Sequence, residues 1–278
     1  MHMPWERKSI YKNKNLYNSN DGMSQNYYTI QIYHFKIQYH CTKKIKERGG
    51  IMSIMSMLKA RKAVSKAGKG EIDEAIKLYE EAYNDGLTDM RSLLHYSVLL
   101  IRKNQFQKAR DLFVKIQNYP MQANDRTQMY VNYATVVFKL GETEKAIALL
   151  ERQHEQNPNG LIYQTLGYLY VEMGDEKKAL AFNQEACKYD EEDPICLDNL
   201  GQTYYRLLND KKTAKKWFDL AIAEKPNQLD TLYFLTKYDL EKGDKEEAIK
   251  KIEKLEKARF SPLNYANAER VAALRASL

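Results

Sequence analysis

LIYQTLGYLYVEMGDEKKALAFNQEA, residues 161–186, carries two amphipathic patterns joined by Gly174–Asp175. Apolar residues recur at three- and four-residue intervals on both sides of that turn, which predicts helices over 161–173 and 176–189. Gly167 and Ala179 sit in the middle of the two apolar faces. A small residue there lets a neighbouring backbone come close, so the helices are expected to cross at this pair. Alanines in register with Ala179 recur at Ala75, Ala109, Ala146, Ala214 and Ala248, spaced by 34, 37, 33, 35 and 34 residues. A period in that range marks stacked repeats, each unable to bury its apolar face alone.

Extending the pattern predicts helix pairs at 56–68 with 71–84, 90–103 with 106–117, and 126–140 with 143–155. Further pairs follow at 160–173 with 176–189, 194–208 with 211–224, and 229–242 with 245–257. Gly70, Asn104, Gly141, Gly174, Asn209 and Gly243 fall where each first helix must stop. Both residue types accept the left-handed backbone of a helix C-terminus. Pro120, Pro158, Pro194 and Pro226 separate the pairs. One more helix is expected over 262–276, with Ser261 as its N-cap and Pro262 at its first position, closing the stack. At the other end Lys59, Lys62 and Lys66 predict a wet outer face for the first unit.

These residues carry a resemblance. Tyr163, Leu166, Gly167, Tyr170 and Ala179 match the W-x2-L-G-x2-Y…A-x3-F…P pattern, as do Leu197, Leu200, Gly201, Tyr204, Ala214, Phe218 and Pro226. The chain from about residue 56 onward resembles the tetratricopeptide repeat family. The small first-helix residue recurs as Ala63, Ser97, Ala134, Gly167, Gly201 and Thr236. The fifth unit holds one extra residue, placed in its turn near Leu208. The resemblance implies an all-α, right-handed superhelical solenoid of about six helix-turn-helix repeats with a C-terminal capping helix. Repeats are expected near 56–87, 90–120, 126–158, 160–193, 194–227 and 229–260, within a domain spanning 52–278.

Residues 1–51 differ in kind. Of the first fifty, 23 are Lys, Asn, Tyr or Ile, without helical period, and they hold nine Lys/Arg against three Asp/Glu. Of the net charge of +7, all but one unit therefore lies there, and the array is nearly neutral. We read the stretch as a disordered basic extension with a weak strand within Tyr27–His40, the native start being expected at Met52, Met55 or Met57. The competing reading is an arm that binds nucleic acid or a membrane surface. Cys41, Cys187 and Cys196 form neither a metal-ligand spacing nor an even disulfide framework, which predicts reduced thiols and a cytoplasmic setting. No run of eighteen apolar residues occurs.

Catalysis needs convergent reactive groups. The array has two histidines: His95 among apolar residues, expected to be packed, and His154, expected at a solvated helix end. The acidic run Asp190–Asp193 lacks calcium-loop spacing and reads as a solvated loop. No catalytic residue, metal site or cofactor is expected, and the chain is read as no enzyme. Binding remains. In a curved stack the first helices line the inner side. Their free faces predict a groove made of Gln128, Val131, Asn132, Thr135, Gln164, Tyr168, Asp198, Asn199, Gln202, Tyr205, Tyr233 and Lys237. Amides offer donor and acceptor together to a peptide backbone, and tyrosines offer wide contact with a polar tip. Tyr163, Tyr170 and Tyr204 are instead expected between repeats. Some family members hold chaperone C-terminal carboxylates with a Lys–Asn, Asn, Lys–Arg clamp. Asn132 and Asn199 lack the matching basic pairs, so that ligand is not expected. The expected function is a scaffold or adaptor that binds a protein segment, the alternative being a receptor for a short signalling peptide. Partners are proteins or peptides, with nucleic acid and membrane disfavoured.

Overall fold

The computed structural model describes residues 54–278. The extension expected over 1–51, its weak strand and Cys41 lie outside the described residues. From residue 54 the chain forms helix pairs: α1 (54–68) with α2 (Ile72–Asn84), α3 (Met90–Arg102) with α4 (Phe106–Ile116), and α5 (Ala123–Lys139) with α6 (Thr143–Gln156). Next come α7 (Gly160–Met173) with α8 (Glu176–Tyr189), α9 (Pro194–Gln202) with α10 (Lys211–Glu224), and α11 (Leu229–Lys242) with α12 (Lys245–Glu256). A last helix, α13 (Ala268–Ala276), follows.

The turns follow from backbone chemistry. Gly70, Asn104, Gly141, Gly174, Asn209 and Gly243 all have φ between +52° and +85°, so each ends its helix in the left-handed region. Asp89, Asn159, Asp175, Asp193, Asp210 and Asp244 accept hydrogen bonds from first-turn N–H groups and fix where helices restart.

All six in-register alanines are fully buried, as are Ala63, Ser97, Ala134 and Thr236 of the first helices. The odd-numbered helices stack consecutively, α3 on α5, α5 on α7 and α7 on α9. The result is an α-solenoid whose first helices form one continuous face.

Local details depart from expectation. A Cβ on Gly167 would lie 2.2 Å from Asn183 Oδ1, and one on Gly201 would lie 2.7 Å from Phe218 Cε1. The close approach is thus made to the residue four after the alanine, one turn beyond Ala179 and Ala214. The extra residue of the fifth unit is taken up inside the helix. Thr203–Leu207 forms a π turn continuous with α9, closed by Leu208 N–H donating to Thr203 O. On α1, Lys59 pairs with Glu81 and Asp85, and Lys66 with Glu71 and Glu74. Ile54, Leu58 and Val64 are exposed there instead.

The final helix begins at Ala268, not at Pro262. Ser261 caps only a turn, its Oγ accepting from Leu263 N–H while Asn264 Oδ1 accepts from Ser261 N–H. Asp230 then takes the backbone N–H groups of Tyr265 and Ala266 at 3.1 and 2.8 Å and the Asn264 amide at 3.2 Å. Donors committed to a distant carboxylate cannot enter a helix, so 257–267 stays an irregular strap until Asn267 caps α13.

Candidate functional site

The inner face encloses a cavity of about 1110 Å³. Arg102 of α3, Asn132 and Thr135 of α5, Gln164 and Tyr168 of α7 and Asn199 of α9 line it, and the strap from Ala258 to Asn264 forms the opposite part of its wall. The sequence brings these side chains together because equivalent positions of successive first helices stack one repeat apart.

The amides are partly committed. Asn199 Nδ2 donates to Gln164 O at 2.8 Å, tying one first helix to the previous one. Gln164 Nε2 donates to Asp193 Oδ2 at 2.5 Å. Thr135 Oγ1 donates back to Val131 O. Gln128 Nε2 donates to Asn132 Oδ1, which leaves Asn132 Nδ2 buried with no partner among the described residues, although the residue lines the cavity and is only 8% exposed. An unmet buried donor is costly and calls for an acceptor.

Gln128, Gln202, Tyr205, Tyr233 and Lys237 do not line this cavity. Gln202 is fully buried, donating to Asp198 and accepting from Arg206. Tyr233 is 6% exposed and meets Tyr265 of the strap edge-on, while Phe234 stacks on the same ring. Tyr205 is half-buried against Phe234 and Tyr238, with Lys211 and Lys237 over its ring. Tyr168 lines the cavity yet is 5% exposed, packed edge-on against Phe138, and burial raises its hydroxyl pKa strongly. Tyr163 and Tyr170 are buried between repeats, donating to Glu185 and Glu151, and Tyr204 is partly buried.

Comparison with known proteins agrees with this geometry. A tetratricopeptide repeat family model matches residues 161–193, and a second matches 56–95. Both stretches are tetratricopeptide repeats. Its solenoid is similar to MamA 41-end from Desulfovibrio magneticus RS-1, at 21% identity over 64% of this chain and 98% of that one, with a TM-score of 0.52. It is also similar to TTC0263, a thermophilic TPR protein in Thermus thermophilus, at 18% identity over 63% and 94%, with a TM-score of 0.51. Pseudomonas aeruginosa pilF aligns at 11% identity over 81% and 98%, with a TM-score of 0.54. These likenesses show the fold alone. No curated protein matches the chain. As a tetratricopeptide array, the protein is of the protein-interaction scaffold class.

A polar core runs inward from Asp198 and Asp230 of the cavity wall of this tetratricopeptide array. Asp198, fully enclosed, accepts from Thr231 Oγ1 at 2.6 Å and from Gln202 at 2.7 Å. Burial, with Asp230 as a neighbouring charge, pushes its pKa up to about 7, and burial raises that of Asp230 too. Arg206, carried on the π turn, donates to Glu172 at 2.6 Å and lies 4.1 Å from the centre of the Tyr265 ring. Arg270 lies over the same ring at 3.8 Å. The helix period places Asp198 and Gln202 of this cluster on the inner face, while Arg206, Asp230 and Tyr265 join it through contacts between repeats.

His95 is half-buried with Nδ1 2.8 Å from Tyr79 Oη, and burial lowers its pKa, helped by Arg102. His154 is not at a solvated end but packs edge-on against Tyr163 and Phe182. Asp193 of the acidic run caps α9. Among the described residues no group of three or more His, Cys, Asp or Glu could hold a metal, and no helix is long and apolar enough to cross a membrane.

Proposed function

We propose that the tetratricopeptide array is a non-catalytic scaffold that holds an extended segment of another protein in the cavity between its first helices and its strap. The observation that carries this reading is Asn132 Nδ2, a buried donor without an acceptor among the described residues, in the wall of a roomy cavity. A backbone carbonyl of a bound segment supplies that acceptor. Repeated amides one helix apart suit a repeating peptide backbone better than a compact small molecule. The volume slightly exceeds that of pockets enclosing drug-sized ligands, which leaves room for a short extended chain.

Site-specific photo-crosslinking in the native host tests this. A benzophenone side chain replacing Lys139, on the cavity rim, should capture a discrete partner, whereas one replacing exposed Lys188 on α8 should not. Capture from Lys188 alone, or from neither position, would refute the groove.

A further inference from the structure

The charges around the cavity are one-sided in an array that is otherwise nearly neutral. Arg102 ends α3, Lys139 ends α5, Lys225 follows α10 and Arg259 sits on the strap; all four line the cavity and are exposed. Among the described residues none of the four makes an ion pair or a side-chain hydrogen bond, whereas cations elsewhere on the array commonly do, as Lys59, Lys66, Arg110, Lys211 and Lys251 show. The cavity's two carboxylates, Asp198 and Asp230, are buried and taken up by protein donors. Helix dipoles explain why a cation is comfortable at the ends of α3, α5 and α10. They do not explain why four cations without an ion pair, of which only Lys139 lies over a ring (Phe138, 5.9 Å), come from separate elements to one opening with no exposed acid among them.

Resting on the groove reading above, we propose that the occupant is an acidic, extended peptide segment, held by neutral amides along its backbone and by these four cations at its carboxylates. Asn132 Nδ2 donates to a main-chain carbonyl on the floor. Arg102 and Lys139 meet carboxylates from the stack side, Arg259 from the strap and Lys225 from the inter-repeat loop. The set differs from a Lys–Asn, Asn, Lys–Arg clamp because the cations sit at helix ends and on the strap. The strap is therefore part of the site, and a ligand bridges it to the first helices. Single-stranded nucleic acid fits less well, since it needs exposed rings for its bases to stack on. Tyr168 and Tyr233 are buried, and Tyr265 is covered by Arg206 and Arg270.

The test begins with selection of binders from an unbiased random-peptide phage library on the full chain. The selected peptides are then titrated by fluorescence anisotropy against the wild type, Asn132→Ala and Arg102→Gln/Lys139→Gln. Both charge changes are at exposed positions, and an unaltered thermal melt by circular dichroism verifies the fold. The expected result is acidic peptides that weaken with salt and lose about tenfold in affinity in the charge variant, the scale of one charged hydrogen bond. Neutral or basic peptides that depend on Asn132 but not on Arg102 and Lys139 would overturn the acidic ligand while leaving the groove intact. No selected peptide, or peptides indifferent to every variant, would overturn the groove and this proposal together. Tighter binding of oligothymidylate than of any selected peptide would overturn it in favour of nucleic acid.

Discussion

Asn183 Oδ1 occupies the space where a Cβ on Gly167 would stand, 2.2 Å from that position. Asn183 is fully buried, and its amide donates to Gly167 O at 3.3 Å and to Thr203 Oγ1 at 3.1 Å, so one side chain joins the fourth repeat to the π turn of the fifth. Two effects oppose each other in Gly167→Ala. Helix propensity favours alanine by about 1 kcal/mol. Overpacking against a side chain pinned by two hydrogen bonds costs about 1–3 kcal/mol. We expect a net loss, read as a lower urea midpoint with an unchanged slope. In an Asn183→Ala background the 2.2 Å clash is gone and Asn199 Nδ2, 3.2 Å from the Cβ position, is the tightest neighbour left, so the same change should cost clearly less. Additive effects would show that the two residues do not meet.

The repeat lattice is legible because it rests on local rules that recur. An alanine once per period and a residue able to turn left-handed after each first helix are visible within a few residues, and in the last three repeats an aspartate before the second helix is too. Gly174 and Asp175 alone announce a C-terminus and an N-cap. Long-range contacts are not legible in this way. Ser261–Pro262 has the local signature of a helix start, yet Asp230, thirty-odd residues earlier, captures the amides that a helix would need. The inner-face residues follow the same divide. Asn132 and Gln164 can be placed on the cavity by periodicity, whereas Gln202 turns inward because the π turn brings Arg206 over it. That turn has no sequence mark beyond one surplus residue.

Asp230 should be the residue on which the strap depends. Asp230→Ala leaves the Tyr265 and Ala266 amides and the Asn264 side chain without their acceptor, and each unmet buried donor costs about 1–3 kcal/mol. The loss should be local. Hydrogen exchange at 264–267 should accelerate strongly, while the amides of α5 and α7 keep their protection. Uniform acceleration along the chain would mean that the strap is not a separable element.

Cys187 and Cys196 are buried free thiols. Burial pushes the Cys187 thiol up to about 12 and raises that of Cys196 further. The thiolate is the reactive form, so both should resist alkylation by iodoacetamide at pH 8 in the native protein. In urea both should react at the rate of a free cysteine. Peptide mapping by mass spectrometry resolves the two sites, and native labelling of either would contradict the burial.

The enclosed carboxylate of Asp198 makes a prediction about pH. Its neighbours are Asp230 on α11, Arg206 on the π turn, and the donors Thr231 and Gln202. Burial raises its pKa to about 7, from about 4 in an unfolded chain, so the folded state holds the proton more tightly. Where the folded state binds more protons, stability falls as pH rises. The contribution of Asp198 is therefore most favourable below pH 4, declines between about pH 4 and 7, and is flat above. Surface carboxylates such as Glu142, Glu247 and Glu256, whose pKa values are lowered by Lys145, Lys250 and Arg275, push the other way, so the wild-type curve alone does not isolate the effect. Asp198→Asn does isolate it. Any packing penalty of the amide is independent of pH, whereas the charge it removes is not. Urea denaturation at pH 5, 6, 7 and 8 should show the variant gaining stability relative to wild type over that range, with most of the gain complete by pH 7. A constant difference across the series would mean that Asp198 is already ionised at pH 5 and that its enclosure does not govern its proton.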